Sequence, residues 1–107
     1  KLNLNTHPTV IYPNCINELN HVSNNKNELA IRITPLKKLG LLIDAIQSPI
    51  VSTSANVSGE PFPRKFEDID KRIIDSVDII FNFDTKSSGN PSKIIRIDEF
   101  GALQYIR

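Results

Sequence analysis

Short apolar runs that each stop at a proline constrain this chain most. Thr9-Val10-Ile11-Tyr12 is β-branched and aromatic and closes at Pro13, and Leu29-Ala30-Ile31-Arg32-Ile33 closes at Thr34-Pro35. Proline fixes φ and has no N–H to donate, so neither run extends into a long ladder. Both read as short strands. After Pro35, Leu36, Leu39, Leu42, Ile43 and Ile46 recur at helical spacing until Ser48-Pro49, which predicts a helix over 35–47 with Thr34 as its N-cap. Pro49 to Thr53 reads as a third strand, apolar enough for burial on both faces. Phe66, Ile69, Ile73 and Ile74 predict a second amphipathic helix with Glu67 and Asp68 in its first turn. A fourth strand is expected over 77–83. A hairpin of 94–97 and 103–106 is expected around Glu99-Phe100-Gly101. Residues 14–27 read as a polar loop with one helical turn, and 54–63 and 84–91 as further loops. The alternation predicts one α/β domain over 1–107, a mixed sheet with flanking helices.

Composition narrows the class. The 107 residues are 39% hydrophobic and 23% charged with net charge +1, as in globular rather than disordered chains. One Cys excludes a disulfide framework and a cysteine-based zinc site, and it fits a reducing compartment. No apolar run has the length of a membrane span and no secretory h-region opens the chain, so a cytoplasmic location without membrane attachment is expected. The near-neutral charge gives no argument for nonspecific nucleic-acid binding. The chain starts at Lys1 without a methionine, which is read as an internal or processed start.

Several chemical devices are absent: no GxxxxGK[ST] loop, no GxGxxG and no HExxH occurs. His7 and His21 stand alone and read as surface residues, and Cys15 has no basic neighbour to lower its pKa. The informative segment is Val51 to Pro61, with Ser52, Thr53, Ser54 and Ser58 hydroxyls and the Asn56 amide between a strand and a Gly/Pro turn. Small residues there admit a ligand close to the backbone, and hydroxyl and amide groups both donate and accept. A turn that satisfies its own backbone accounts equally well for that composition. Asn56-Val57-Ser58 also fits a glycosylation sequon, read as accidental without a signal peptide. Arg32, read as lying in a short central strand, needs a partner or a ligand anion. Arg64, Arg107 and Ser92 occupy comparable places beside loops or strand ends. Each arginine is a candidate for a carboxylate or phosphate, or a solvated surface cation.

Ser52-Thr53-Ser54-Ala55-Asn56-Val57-Ser58-Gly59-Glu60-Pro61 closely resembles the STSANxSGxP signature of the YrdC-like threonylcarbamoyl-AMP synthases. Pro8 to Tyr12 is similar to that family's PxTxIL strand and Ala30 to Ile33 to its AVRxP strand. Asn90 to Ile95 is similar to its PSTVV segment, and Gln104 to Arg107 to its terminal ILR. The resemblance implies a twisted mixed sheet enclosing a concave basic cavity. It also implies synthesis of threonylcarbamoyl-AMP and pyrophosphate from L-threonine, bicarbonate and ATP, with Mg2+ accompanying the ATP. The product would serve threonylcarbamoylation of adenosine 37 in tRNA, so tRNA and proteins of that pathway are further implied partners.

By the same resemblance Ser54 and Asn56 form the catalytic SxN pair, Ser54 near the threonine moiety and Asn56 near the nucleotide phosphate. Arg32 and Ser92 would hold L-threonine, and Arg64 and Arg107 would lie against ATP; no residue is assigned to a metal. The family's KxR pair and YPTET-like segment have no counterpart here, and PGP before the threonine is replaced by Thr6-His7-Pro8. The chain is therefore expected to be the C-terminal part of a YrdC-like domain that lacks full synthase activity alone. Two other readings stand beside it. One is the carbamoyl-adenylate module of a hydrogenase-maturation carbamoyltransferase. The other is an RNA-binding module built on Arg64, Lys65, Lys71 and Arg72, a cluster interrupted by Glu67, Asp68 and Asp70 and without aromatic stacking partners.

Overall fold

The computed structural model describes residues 7–82 and 90–107. They form two compact units: one runs to Pro49 and resumes over Ser92–Arg107, and the other is Ile50–Pro91.

The first unit is built on a four-stranded mixed sheet of β1 (Thr9–Tyr12), β2 (Leu29–Arg32), β3 (Ile94–Ile97) and β4 (Leu103–Tyr105), in the order β2-β1-β3-β4. β1 pairs antiparallel with β2, setting Thr9 opposite Arg32, and parallel with β3, setting Thr9 beside Ile94. β3 and β4 form the expected hairpin. Its turn has a clear local cause: the Asp98 carboxylate accepts from the N–H groups of Phe100 and Ala102 at 2.9 and 2.8 Å, and Gly101 takes φ +80°. An aspartate that bonds the backbone beyond it, followed by a left-handed glycine, closes a short reversal with little strain. Ile95 on β3, flanked by both β1 and β4, is only 3% exposed and is the buried aliphatic side chain among the described residues.

Helix α1 (Lys37–Ile46) begins two residues later than the predicted start. The Thr34 hydroxyl does bond the chain at that point, accepting from Leu36 N–H at 3.1 Å, but as a turn ahead of the helix rather than as its N-cap. The helix ends on Gln47 in the left-handed conformation, whose N–H reaches Ile43 O at 3.0 Å. The 14–27 loop carries one 3-10 turn, Asn17–Val22.

The second unit departs from expectation more. Residues 49–53 form no strand, and Val51 is 83% exposed. Residues 77–82 form none either, with Ile79 69% exposed; Phe83 of that predicted strand lies outside the described residues. An apolar run becomes a strand only where a neighbour completes its ladder, and neither segment has one among the described residues. The predicted helix over Phe66–Ile74 is two pieces, a 3-10 turn (Phe66–Asp68) and a single-turn helix α2 (Lys71–Ile74). Ile69 is extended (φ −70°, ψ 126°), and the Asp70 side chain accepts from Arg72 N–H, so Ile69 ends one turn and Asp70 caps the next.

Candidate active site

Three of the sequence-predicted site residues lie in each unit. In the first, the parallel pairing of β1 with β3 brings two distant hydroxyls together: Thr9 Oγ1 and Ser92 Oγ are 2.8 Å apart, and Thr9 N–H donates to Lys93 O at 2.8 Å. Arg107 joins them, its Nη2 donating to Ser92 O at 3.4 Å. Arg32, opposite Thr9 on β2, donates from Nε to His7 O at 3.2 Å. One end of the sheet thus gathers Arg32, Thr9, Ser92 and Arg107: two hydroxyls and two guanidinium groups, suited to an anionic or hydroxyl-bearing ligand.

Two sequence expectations change here. β2 is an edge strand, not a central one, so Arg32 is exposed and its charge needs no buried counter-ion. Thr9 was not singled out; only its place in the Pro8-Thr9 segment pointed to it, since its partner is 83 positions away.

A second feature missed at the sequence level is an ion pair across this unit, Arg96 Nε to Glu28 Oε1 at 2.9 Å, with Glu28 largely covered. Asn24 organises it, donating to Glu28 Oε2 and accepting from the N–H groups of Lys26 and Glu28. The Asn24 hydrogen bond, then the charges of Arg96 and Lys26, hold the Glu28 carboxyl below its ordinary value.

In the second unit the hydroxyl- and amide-rich segment is an open loop closed by a tight turn. Glu60 N–H donates to Val57 O at 2.9 Å, and Gly59 takes φ +84°, a conformation few other residues adopt without strain. Asn56 is half-buried against that turn, and its Nδ2 donates to Val57 O at 3.1 Å and to Glu60 O at 2.9 Å. Two carbonyl oxygens on one side identify that side as the NH2 group. Asn56 Oδ1 is therefore the remaining functional atom, and it is buried from solvent with no partner among the described residues. Asn56 lines a cavity of about 270 Å³ together with Glu60, Phe62, Asp68 and Asp70. Ser54 is exposed and does not line it. Arg64 is exposed too, and its backbone N–H donates to Asp68 Oδ2 at 3.3 Å.

Two of the four cations in the basic cluster over 64–72 are paired with carboxylates. Lys71 pairs with Asp75 at 2.6 Å, and Arg72 with both Asp70 and Glu60 at 2.7 Å. The Arg72 hydrogen bonds pull the Asp70 carboxyl down to about 2, and the Asp70 and Glu60 carboxylates raise the Arg72 guanidinium further above its ordinary value. Cations committed this way contribute little to an RNA-binding face.

Fit to Mg2+ can be judged from the donors. Among the described residues no group of three or more His, Cys, Asp or Glu side chains is placed to hold a metal ion. The donors of the described residues thus do not make a resident magnesium site, which calls for several oxygen ligands. Among the described residues no helix is long and apolar enough to cross a membrane.

The four-stranded mixed sheet and its helices make this an α/β fold. The chain belongs to the Sua5/YciO/YrdC family, whose model, described as "Telomere recombination", matches residues 4–107. It is 34% identical over 73 residues to the threonylcarbamoyl-AMP synthase of Stenotrophomonas maltophilia, covering 68% of this chain and 39% of that protein. The threonylcarbamoyl-AMP synthase of Xanthomonas axonopodis pv. citri is 32% identical over 73 residues, with the same two coverages of 68% and 39%. The chain thus spans about two-fifths of the length of these relatives. No solved structure gives a significant match.

Proposed function

We propose that this chain supplies the L-threonine end and the SxN loop of an L-threonylcarbamoyladenylate synthase. The observation that carries the reading is the Asn56 loop, whose turn fixes the carboxamide and leaves Oδ1 a buried acceptor with no partner among the described residues, in a chain of the YrdC-like family. In the reaction, bicarbonate carboxylates the threonine amine with loss of water. A carbamate oxygen then bonds the α-phosphorus of ATP, the bond from that phosphorus to the bridging oxygen breaks, and pyrophosphate leaves. Such a step needs orientation and charge neutralisation more than a protein nucleophile.

Arg32 and Ser92 of the first unit suit the threonine carboxylate and hydroxyl; for Ser54 of the second unit a threonine contact rests on the family resemblance alone. Arg107 and Arg64 suit the phosphates of the MgATP substrate. Asn56 offers an acceptor, so it meets the nucleotide at a donor such as a ribose hydroxyl or a phosphate-bound water rather than at a bare phosphate oxygen. Thr9 holds Ser92 through their 2.8 Å hydrogen bond. Threonylcarbamoyl-AMP made this way would supply tRNA threonylcarbamoylation in the cytoplasm.

The test is a titration of the 15N-labelled protein with L-threonine and with MgATP, followed by a search for an L-threonine-dependent AMP adduct. Threonine should shift signals at Arg32 and Ser92, and ATP those around Asn56. Ser54→Ala should weaken threonine binding and Asn56→Ala ATP binding, each about tenfold or more, the scale of one lost hydrogen bond to a charged or buried partner. Absence of binding by either substrate, or binding unchanged in both variants, would overturn the reading.

A further inference from the structure

We propose that Arg72 is a positioning residue for the Asn56 carboxamide and acts through Glu60; this rests on the functional reading of the loop given above. The contacts form one chain. Asn56 Nδ2 donates to the Glu60 carbonyl at 2.9 Å, and the Glu60 carboxylate receives Arg72 Nη2 at 2.7 Å. Arg72 is itself pinned: its Nε donates to Asp70 Oδ1 at 2.9 Å and its Nη2 to Asp70 Oδ2 at 2.7 Å. The Arg72 backbone N–H also donates to Asp70 Oδ1 at 2.7 Å, so one carboxylate caps α2 and grips the guanidinium. A planar fork held on two carboxylate oxygens has little freedom left, and lysine could not reproduce it.

Two consequences reach Asn56. Glu60, tied to Arg72, fixes the carbonyl that selects which way the amide lies. Rotating the amide by half a turn would set Oδ1 against the Val57 and Glu60 oxygens, so holding Glu60 holds Oδ1 in its unpaired position away from them. Charge is the second consequence. Glu60 and Asp70 line the same cavity as Asn56, and Arg72 is bonded to both. Without it an anionic nucleotide approaching Asn56 meets both of these carboxylates uncompensated, in addition to Asp68 in the same lining. Arg72 is 62% exposed, so its contribution to global stability is small and its effect lies in this local order.

The experiment reads the side-chain NH2 resonances of Asn56 and their exchange with solvent in the protein and in its Arg72→Met, Glu60→Gln and doubly substituted forms, alongside ATP affinity. Expected is an acceleration of Asn56 NH2 exchange of about threefold in each single variant, in keeping with a partly exposed pair, and no further gain in the double variant. ATP affinity should fall by a similar factor, and by less when Arg72→Met is added to Asn56→Ala, where only the charge effect is left. Should Arg72→Met fail to fold, Glu60→Gln alone carries the test, because it keeps the backbone carbonyl and changes only the head of an exposed side chain. Unchanged exchange in a folded Arg72→Met protein overturns the proposal, as does acceleration by Arg72→Met but not by Glu60→Gln. So does unchanged ATP affinity once the Asn56 amide has been freed. A parent protein that binds no ATP would sink the functional reading instead, while the exchange measurement still decides whether Arg72 orients Asn56.

Discussion

Replacing Gly59 with alanine isolates what the Asn56 loop asks of its backbone. Gly59 sits at φ +84°, and a Cβ built there meets nothing within 4 Å, so the added methyl has room. The cost is purely conformational, about 1–2 kcal/mol for a side-chain-bearing residue in left-handed space. That strain falls on the turn in which Glu60 N–H donates to Val57 O at 2.9 Å, the turn that also brings Glu60 O to Asn56. If the turn opens independently of the rest of the protein, the strain appears as faster exchange of the Glu60 amide, roughly 5- to 30-fold for 1–2 kcal/mol. Gly59→Asn should cost less, since asparagine visits this region more readily. Gly40 provides the opposite control: it lies inside α1 with equally open space around its Cβ, and Gly40→Ala should stabilise by about 0.5–1 kcal/mol. Hydrogen exchange and urea unfolding on the three variants give the comparison. Glu60 exchange in Gly59→Ala within twofold of the parent would refute the reasoning. A loss above about 3 kcal/mol would refute it too, since only a clash or a lost core contact reaches that size.

Two further predictions concern single bonds. Thr9→Val, Ser92→Ala and their combination should give a coupling of about 0.5–1.5 kcal/mol in urea unfolding, the net worth of one intramolecular hydrogen bond, and strict additivity would mean the two hydroxyls are not bonded. The Asp70 carboxyl, lowered to about 2 from 3.8, should titrate by carbon NMR near pH 2. Because its folded value is depressed, its stabilising contribution is complete above about pH 4 and is lost as pH falls through 2. Arg72→Met should move that midpoint back towards 3.8, and an Asp70 midpoint already at 3.8 in the parent protein would show that Arg72 does not grip it.

Elements were legible in the sequence where their cause is local. The strand Thr9–Tyr12 is β-branched up to a proline, and the β3–β4 hairpin turns on Asp98 and Gly101, all within a few residues. Where the cause is distant, pattern misled. Ile50-Val51 and Ile79-Ile80-Phe81 are as apolar as buried strands, yet a ladder needs partners that hydrophobicity alone does not provide. Arg32 was placed centrally because strand order is a non-local property; the pairing leaves it on the edge. The break at Asp70 was hidden because periodicity counts apolar positions, whereas a capping carboxylate competes for the backbone N–H groups. At the site, the Ser52–Pro61 loop was visible from its residues. The groups that hold it and its counterpart were not: Arg72 reaches Glu60 across 12 positions and Ser92 reaches Thr9 across 83.

That last separation has a temporal side. β1 and β2 are neighbours in sequence and can pair as soon as both are made, but β3 arrives only after the whole of Ile50–Pro91 has been synthesised. The parallel β1–β3 register is thus a high-contact-order event, and such pairings are slow because the intervening chain must be gathered before any contact repays it. Until then β1 carries an open hydrogen-bonding edge, and Ile95, the residue its sheet buries most completely, does not yet exist. A nascent hairpin waiting in that state is exposed to intermolecular strand pairing. For this protein, yield on expression should therefore depend more on how quickly residues 92–107 follow than on the final stability of the sheet they complete.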